Sequence, residues 1–229
     1  MMQAGGVDDF RGFPPEGLEF FAKLAANNTR EFWNANKGTF ETTVRDPLRT
    51  FLDSVADEFG TFHLFRMNRD VRFSKDKSPY KTAQGAVTET EGGATHYIQL
   101  GADGLFVGGG MYHLARDQLA NYREAVADDR TGPALERAIA AVRKARVEVA
   151  HGYEAPLTTA PKGYPKDHPR IDLLRWKGVI AHRQLGAPAW LHTKRAATEI
   201  TKVWRASTPL LDWLDANVGP STLAPPEFG

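Results

Sequence analysis

At 229 residues with 41% hydrophobic side chains, including thirteen Phe, five Trp and six Tyr, the chain can bury a real core in one generous domain or two small ones, and wholesale disorder is excluded. Zero cysteines exclude a disulfide framework, a thiol nucleophile and any cysteine-held zinc or iron-sulfur centre. With 29 Lys plus Arg against 28 Asp plus Glu the net charge is +1, so the overall field does not favour nucleic-acid binding and only a local patch could support it.

Met1 to Gly6 has neither the basic nor the apolar region of a secretory leader, and charges interrupt every hydrophobic stretch before it reaches the roughly 18 residues of a membrane span. The expectation is a soluble, cytoplasmic protein with no membrane partner.

Pro14 and Pro15 suit a first helical turn, after which Leu18, Phe21 and Leu24 recur at helical spacing. Asn27 and Asn28 interrupt that helix, and Asn28 or Thr29 caps the next, which carries Phe32 and Phe40. Asp46 and Pro47 start a third, whose Leu48, Phe51, Leu52, Val55 and Phe59 form an apolar stripe that ends at Gly60.

The period then turns strand-like. Strands are predicted over 61–67, 85–91, 95–101 and 105–112, with Asn68 to Thr82 as a loop or strand edge and Ala102, Asp103 and Gly104 as a tight connection. Placing Gly101 opposite Leu105 pairs Leu100 with Phe106 and Ile98 with Gly108, which makes one apolar face that opens towards glycine.

Helical spacing returns from Leu114 to about Ala145, with a break that Thr131, Gly132 and Pro133 restart. A strand over 147–153, a proline-rich connector over 154–169, a short helix over 171–176, a strand over 179–185 and a long helix over 193–217, kinked at Thr208 and Pro209, complete the chain. Helices, then strands, then helices predict an α+β fold with a mainly antiparallel sheet and flanking helices, as a single domain over 10–217 with flexible termini at 1–9 and 218–229.

The standard phosphate-loop, dinucleotide, nucleophile-elbow and zinc-protease motifs are absent, which excludes the familiar labels but not all catalysis and leaves any cofactor unknown. The seven histidines never fall at helix-metal spacing, and no metal site is expected.

The segment Arg66 to Lys81, R-M-N-R-D-V-R-F-S-K-D-K-S-P-Y-K, sets Arg66, Arg69, Arg72, Lys75, Lys77 and Lys81 against Asp70 and Asp76. In extended chain Arg66, Asp70 and Arg72 share one side while Arg69 and Phe73 take the other, so only a turn can converge the cations. Guanidinium and ammonium groups suit phosphate or carboxylate oxygens, and Ser74, Ser78 and Tyr80 add hydroxyls. Asp70 and Asp76 then position the cations, or serve as general base or metal ligand. Two other readings stand beside a small anionic ligand: a binding module for nucleic acid or an acidic protein, and a structural set of ion pairs with the remainder solvated.

This motif, with N-N-T-R-E-F-W at Asn27 to Trp33 before it and Gly108 to Gly110 after it, resembles the bacterial and fungal family catalogued as domain of unknown function 2461. The resemblance covers about Phe10 to Leu214. Its matching positions are Asn27, Asn28, Arg30, Arg69, Asp70, Arg72, Phe73, Ser74, Asp76, Lys77, Pro79, Tyr80 and Lys81, and it implies no particular activity or cofactor. Many relatives have Trp-Phe where this chain has Phe32-Trp33.

Gly108, Gly109 and Gly110 read either as a close approach by a ligand or as room for a packed helix, with Arg116 facing the same place. Asn27, Asn28 and Arg30 read as a polar ligand site or as a helix cap. Trp204, Leu210 and Trp213 fit the core face of the last helix.

Overall fold

The computed structural model describes residues 10–72, 76–88, 90 and 93–223. It is an α+β fold in which six antiparallel strands form one sheet. The strands are β1 (Phe62–Leu64), β2 (Ala83–Thr88), β3 (Thr95–Gly101), β4 (Gly104–Met111), β5 (Glu148–His151) and β6 (Val179–Gly186), in the spatial order β1-β2-β3-β4-β6-β5.

The amino-terminal helices arise where the periodicity places them. α1 (Pro15–Ala26) starts on Pro15, whose missing N–H costs nothing in a first turn, and buries Phe20, Phe21 and Leu24. Thr29 caps α2 (Arg30–Phe40) by accepting from the N–H of Phe32 at 3.1 Å. Asp46 and Pro47 do not interrupt the chain as the start signal implied. A π-helical turn over Glu41–Arg45 carries α2 directly into α3 (Asp46–Ser54), and Thr43 within it meets α1 so closely that a Cβ on Gly17 would lie 2.6 Å from its carbonyl oxygen. Val55 breaks the stripe of α3, and Phe59 is buried from the separate turn α4 (Ala56–Phe59), which Gly60 ends at a φ of 87°.

One face of the sheet is the core face. Ala86 of β2, Ile98 and Leu100 of β3, Leu105 and Val107 of β4, and Val179 and Ala181 of β6 are fully buried there. Beneath them runs α8 (Arg195–Asn217), with Ile200, Trp204, Leu210, Leu211 and Trp213 buried, as helical spacing predicted for Trp204, Leu210 and Trp213. Pro209 lies inside this helix; Ser207 and Thr208 turn their hydroxyls back to the carbonyls of Val203 and Trp204.

Against α8 pack α5 (Arg116–Ala127) and α6 (Thr131–Lys144). Asp128 starts α6 by accepting from the N–H groups of Arg130 and Thr131. Arg170, from the proline-rich connector before α7 (Ile171–Leu174), is buried with its guanidinium donating to the carbonyls of Val126, Ala127 and Asp128, and so satisfies the end of α5. Past α8, Ser221 and Thr222 donate to the Asp117 carboxylate, which ties residues up to that point back onto α5.

The β3–β4 register corrects the expectation by one residue. Gly101 pairs with Gly104, so Ile98 faces Val107, and the neighbour of Gly108 is Tyr97. The cause is the turn: Ala102 and Asp103 alone make the loop, and Gly104, at a φ of 90°, is already the first strand residue. Because side chains alternate along a strand, this slip moves Phe106 and Gly108 from the core face to the opposite one.

Candidate functional site

The basic segment is the outer part of the β1–β2 hairpin. Past β1, the N–H of Phe65 donates to Gly85 O at 2.9 Å, that of Lys81 to Met67 O at 2.8 Å, and that of Arg69 to Pro79 O at 2.9 Å, so the two sides of an arm run antiparallel out to that point. Asn68 faces Tyr80 across the arm, and Asn28 stands at the outer edge of Tyr80. Its amide accepts from Tyr80 N–H and donates to Tyr80 O, taking the place of a third strand. The Tyr80 ring, buried, stacks on Trp33 of α2 at a centroid distance of 4.4 Å and 14° between planes. Asn28, half-buried, and Tyr80, buried, thus fasten the arm to the helices, while Arg30 opens α2 as an exposed residue.

Within the arm the charges pair among themselves. Asp70 accepts from the Arg72 Nε at 3.0 Å and from the backbone N–H of Arg72, the same-side pair that extended chain predicts. These bonds hold the Asp70 carboxyl down at about 2 and raise the Arg72 guanidinium. Asp76 is likewise held at about 2, first by its bonds from Ser78 and then by the Arg69 guanidinium, with which it forms an ion pair. Carboxylates that bind protons so weakly are poor general bases near neutrality. Lys77 donates to Val71 O at 2.9 Å. Ser74 lies outside the described residues.

Lys81 is different. Among the described residues neither it nor Arg66 has a carboxylate within ion-pair distance. The Lys81 ammonium stands 5.3 Å from the centre of the Phe65 ring. Its pKa is lowered, first by partial burial and then by the charges of Arg66 and Arg69, which themselves act on Asp70 and pair with Asp76 respectively.

Phe65 leads from this cluster into a groove of about 390 Å³ on the sheet face opposite α8. Rings follow one another across the strands: Phe65 to Tyr97 at 6.2 Å, Tyr97 to Phe106 at 6.0 Å, and Phe106 to His182, stacked, at 5.4 Å. Gly108 and Gly110 form the floor and Thr95, Ile180 and Tyr112 complete the sides. Burial pushes the Tyr97 hydroxyl up to about 12, and it donates to Gln99 Oε1 at 2.7 Å. His182 has the exposed Glu148 carboxylate 3.9 Å from its Nε2.

The glycine run serves two faces. All three glycines line the groove, and a Cβ on Gly109 would in addition lie 3.3 Å from Leu211 of α8, the packing role. Arg116 is not among the residues that line it. The groove combines positions 65, 97, 106 and 182, which no local motif links; the alternation of Thr95, Tyr97 and Gln99 with Ile98 and Leu100 was the available signal, and the slipped register hid Phe106. Among the described residues no cluster of three or more metal-ligating side chains occurs, and no helix is long and apolar enough to cross a membrane.

A family model described as a conserved hypothetical protein (DUF2461) matches residues 16–213. No curated protein and no solved structure matches the chain.

Proposed function

The chain belongs to the DUF2461 family, and we propose that it binds a small anionic ligand, phosphorylated or carboxylated, where the basic arm meets the groove. One observation carries the reading: Lys81 sits at the groove edge over Phe65, crowded by Arg66 and Arg69, without a carboxylate partner among the described residues. Cations forced together against their own repulsion are relieved by an incoming anion, and the ring beside them limits competition from water. Arg66 and Lys81 neutralise the ligand and Arg69 adds to the field. Asp70 and Asp76 hold the arm in shape, and Arg72 and Lys77 serve that scaffold.

Internal pairing also supports the reading of the arm tip as a structural ion-pair set, and the two roles divide along the arm. Tip residues brace and base residues bind. Calorimetric titration with phosphate monoesters and small dicarboxylates tests this division. Lys81→Ala is expected to lose at least tenfold in affinity while Arg72→Ala binds as the parent does. Equal binding by Lys81→Ala and the parent, or no binding of any anion, overturns it.

A further inference from the structure

The anion site takes one corner of the sheet and leaves most of its open face bare. α8 covers the core face, whereas every residue that lines the groove opposite belongs to the strands or to their direct continuations at Phe65 and Tyr112. A quarter of the chain is charged, yet none of these lining residues is Lys, Arg, Asp or Glu. Charge is kept to the rim, with Lys81 beside Phe65 and Glu148 beside His182. An aromatic centre depleted of charge within a polar rim is the composition of a protein–protein interface. A nucleic acid would need cations across the contact itself.

The relief of this face fits a second copy of the chain. Along β4 and its continuation the side of the strand that faces the groove carries Phe106, Gly108, Gly110 and Tyr112, so two missing side chains lie between two rings. Tyr112 is 59% exposed, and Tyr153, its ring centre 5.6 Å from that of Tyr112, is 69% exposed. They are the most exposed large apolar side chains among the described residues. A protruding ring and a hollow of about 390 Å³ on one face are the two halves of a self-complementary contact, which a two-fold dimer requires.

Tyr112 and Gly108 stand two residues to either side of Gly110. A two-fold axis laid across the strands above Gly110 therefore sets Tyr112 of each copy over Gly108 of the other, with the strands of the two sheets aligned and the faces ~10 Å apart. Thr95 and Ile180, which flank Gly110 in the ladder, then each face their own counterpart.

We infer that the open face is closed by a second copy of this chain, with each Tyr112 seated in the glycine trough of the other. Its extent is of the right order. Six strands at ~4.8 Å and central strands of about seven residues at ~3.4 Å span roughly 500–600 Å² in flat projection. Side-chain relief raises that towards the ~800 Å² per partner of a stable complex. A net charge of +1 sets up little repulsion between copies. Phe65 aligns with Phe106 through Gly85 and Gln99, four residues from the axis, so Lys81 lies at the margin and the anion site stays open. The dimer and the anion site thus stand or fall separately.

Sedimentation equilibrium of the full chain tests this, at concentrations up to ~100 μM so that the micromolar end of such interfaces is covered. Twice the chain mass of 25.3 kDa is expected. Tyr112→Glu is expected to raise the dissociation constant at least tenfold, whereas Leu223→Glu, at an exposed apolar residue off this face, leaves it unchanged. Circular dichroism checks that both variants fold. The absence of cysteine adds a second readout, since Thr95→Cys supplies a single thiol. A short bis-maleimide is expected to join two copies of that variant and not two of Leu223→Cys. A monomer throughout the range overturns the inference, as does a dimer that Tyr112→Glu leaves intact or that Leu223→Glu weakens equally. A dimer that depends on Tyr112 but does not cross-link at position 95 overturns the axis at Gly110.

Discussion

Trp204 on the core side and Gly108 on the groove side share a hydrogen bond through the plane of the sheet. The indole of a fully buried residue, packed against Phe51, Phe59 and Phe62, spends its one polar atom on the strand that makes the groove floor. Core packing and the shape of the candidate site are therefore one structure. Trp204→Phe keeps an aromatic ring but leaves the carbonyls of Gly108 and Tyr97 without that donor. The expected loss of stability is about 1–3 kcal/mol in urea unfolding. Amide exchange in β4 is expected to accelerate as well, and unchanged exchange there would show that the floor holds without the indole.

The Asn28 amide makes the same kind of connection for the basic arm. Asn28→Ala removes both partners of the Tyr80 backbone, at a cost of about 1–3 kcal/mol in denaturant unfolding. The arm is expected to become an early site of limited proteolysis, with cleavage near Lys77 or Lys81. Protection equal to the parent would mean that the Trp33–Tyr80 stack alone holds it.

His96 makes stability depend on mild acid. Its ring lies between Phe59 and Trp204, both its nitrogens are buried without a hydrogen-bond partner among the described residues, and burial lowers its pKa from 6.5 to about 4, the Glu58 carboxylate opposing that shift. The unfolded chain thus binds a proton first, so stability is complete above about pH 6.5 and falls as pH drops towards 4. At ~1.4 kcal/mol per unit the loss amounts to roughly 2 kcal/mol between pH 6.5 and 5, above the ordinary carboxylate range. Urea midpoints measured across that window check it. His96→Phe is expected to flatten the slope, and an unchanged slope in that variant would assign it elsewhere.

Element order was legible because each element obeys its own period. The stripe Leu48, Phe51, Leu52 is helical whatever surrounds it, and Thr95 to Gly101 alternates as a strand, with Ile98 and Leu100 buried on one face and Thr95, Tyr97 and Gln99 half-buried on the other. Register was not, because it turns on whether Gly104 ends the loop or begins the strand, and a glycine at positive φ suits both. The basic arm was legible as a place but not as a structure: Arg69 and Asp76 are seven residues apart and meet only because the chain doubles back. For Asn28, helix capping and ligand binding were the local alternatives, and the bond it makes reaches 52 residues away. Arg170 gave no signal at all, since its three acceptors are backbone carbonyls, which carry no residue identity.

The two outermost strands are the shortest, with three residues in β1 and four in β5. An exposed strand edge is a template on which a second chain can add, and short edges with charges beside them are a poor one. Beyond β1 the chain continues at once into Arg66 and the arm, and β5 itself begins with Glu148, beside Arg143 and Arg146. The charge that marks the arm as a candidate site thus also guards the molecule against edge-to-edge aggregation, so neutralising it to abolish binding carries a second consequence, a lower concentration at which the protein stays monodisperse.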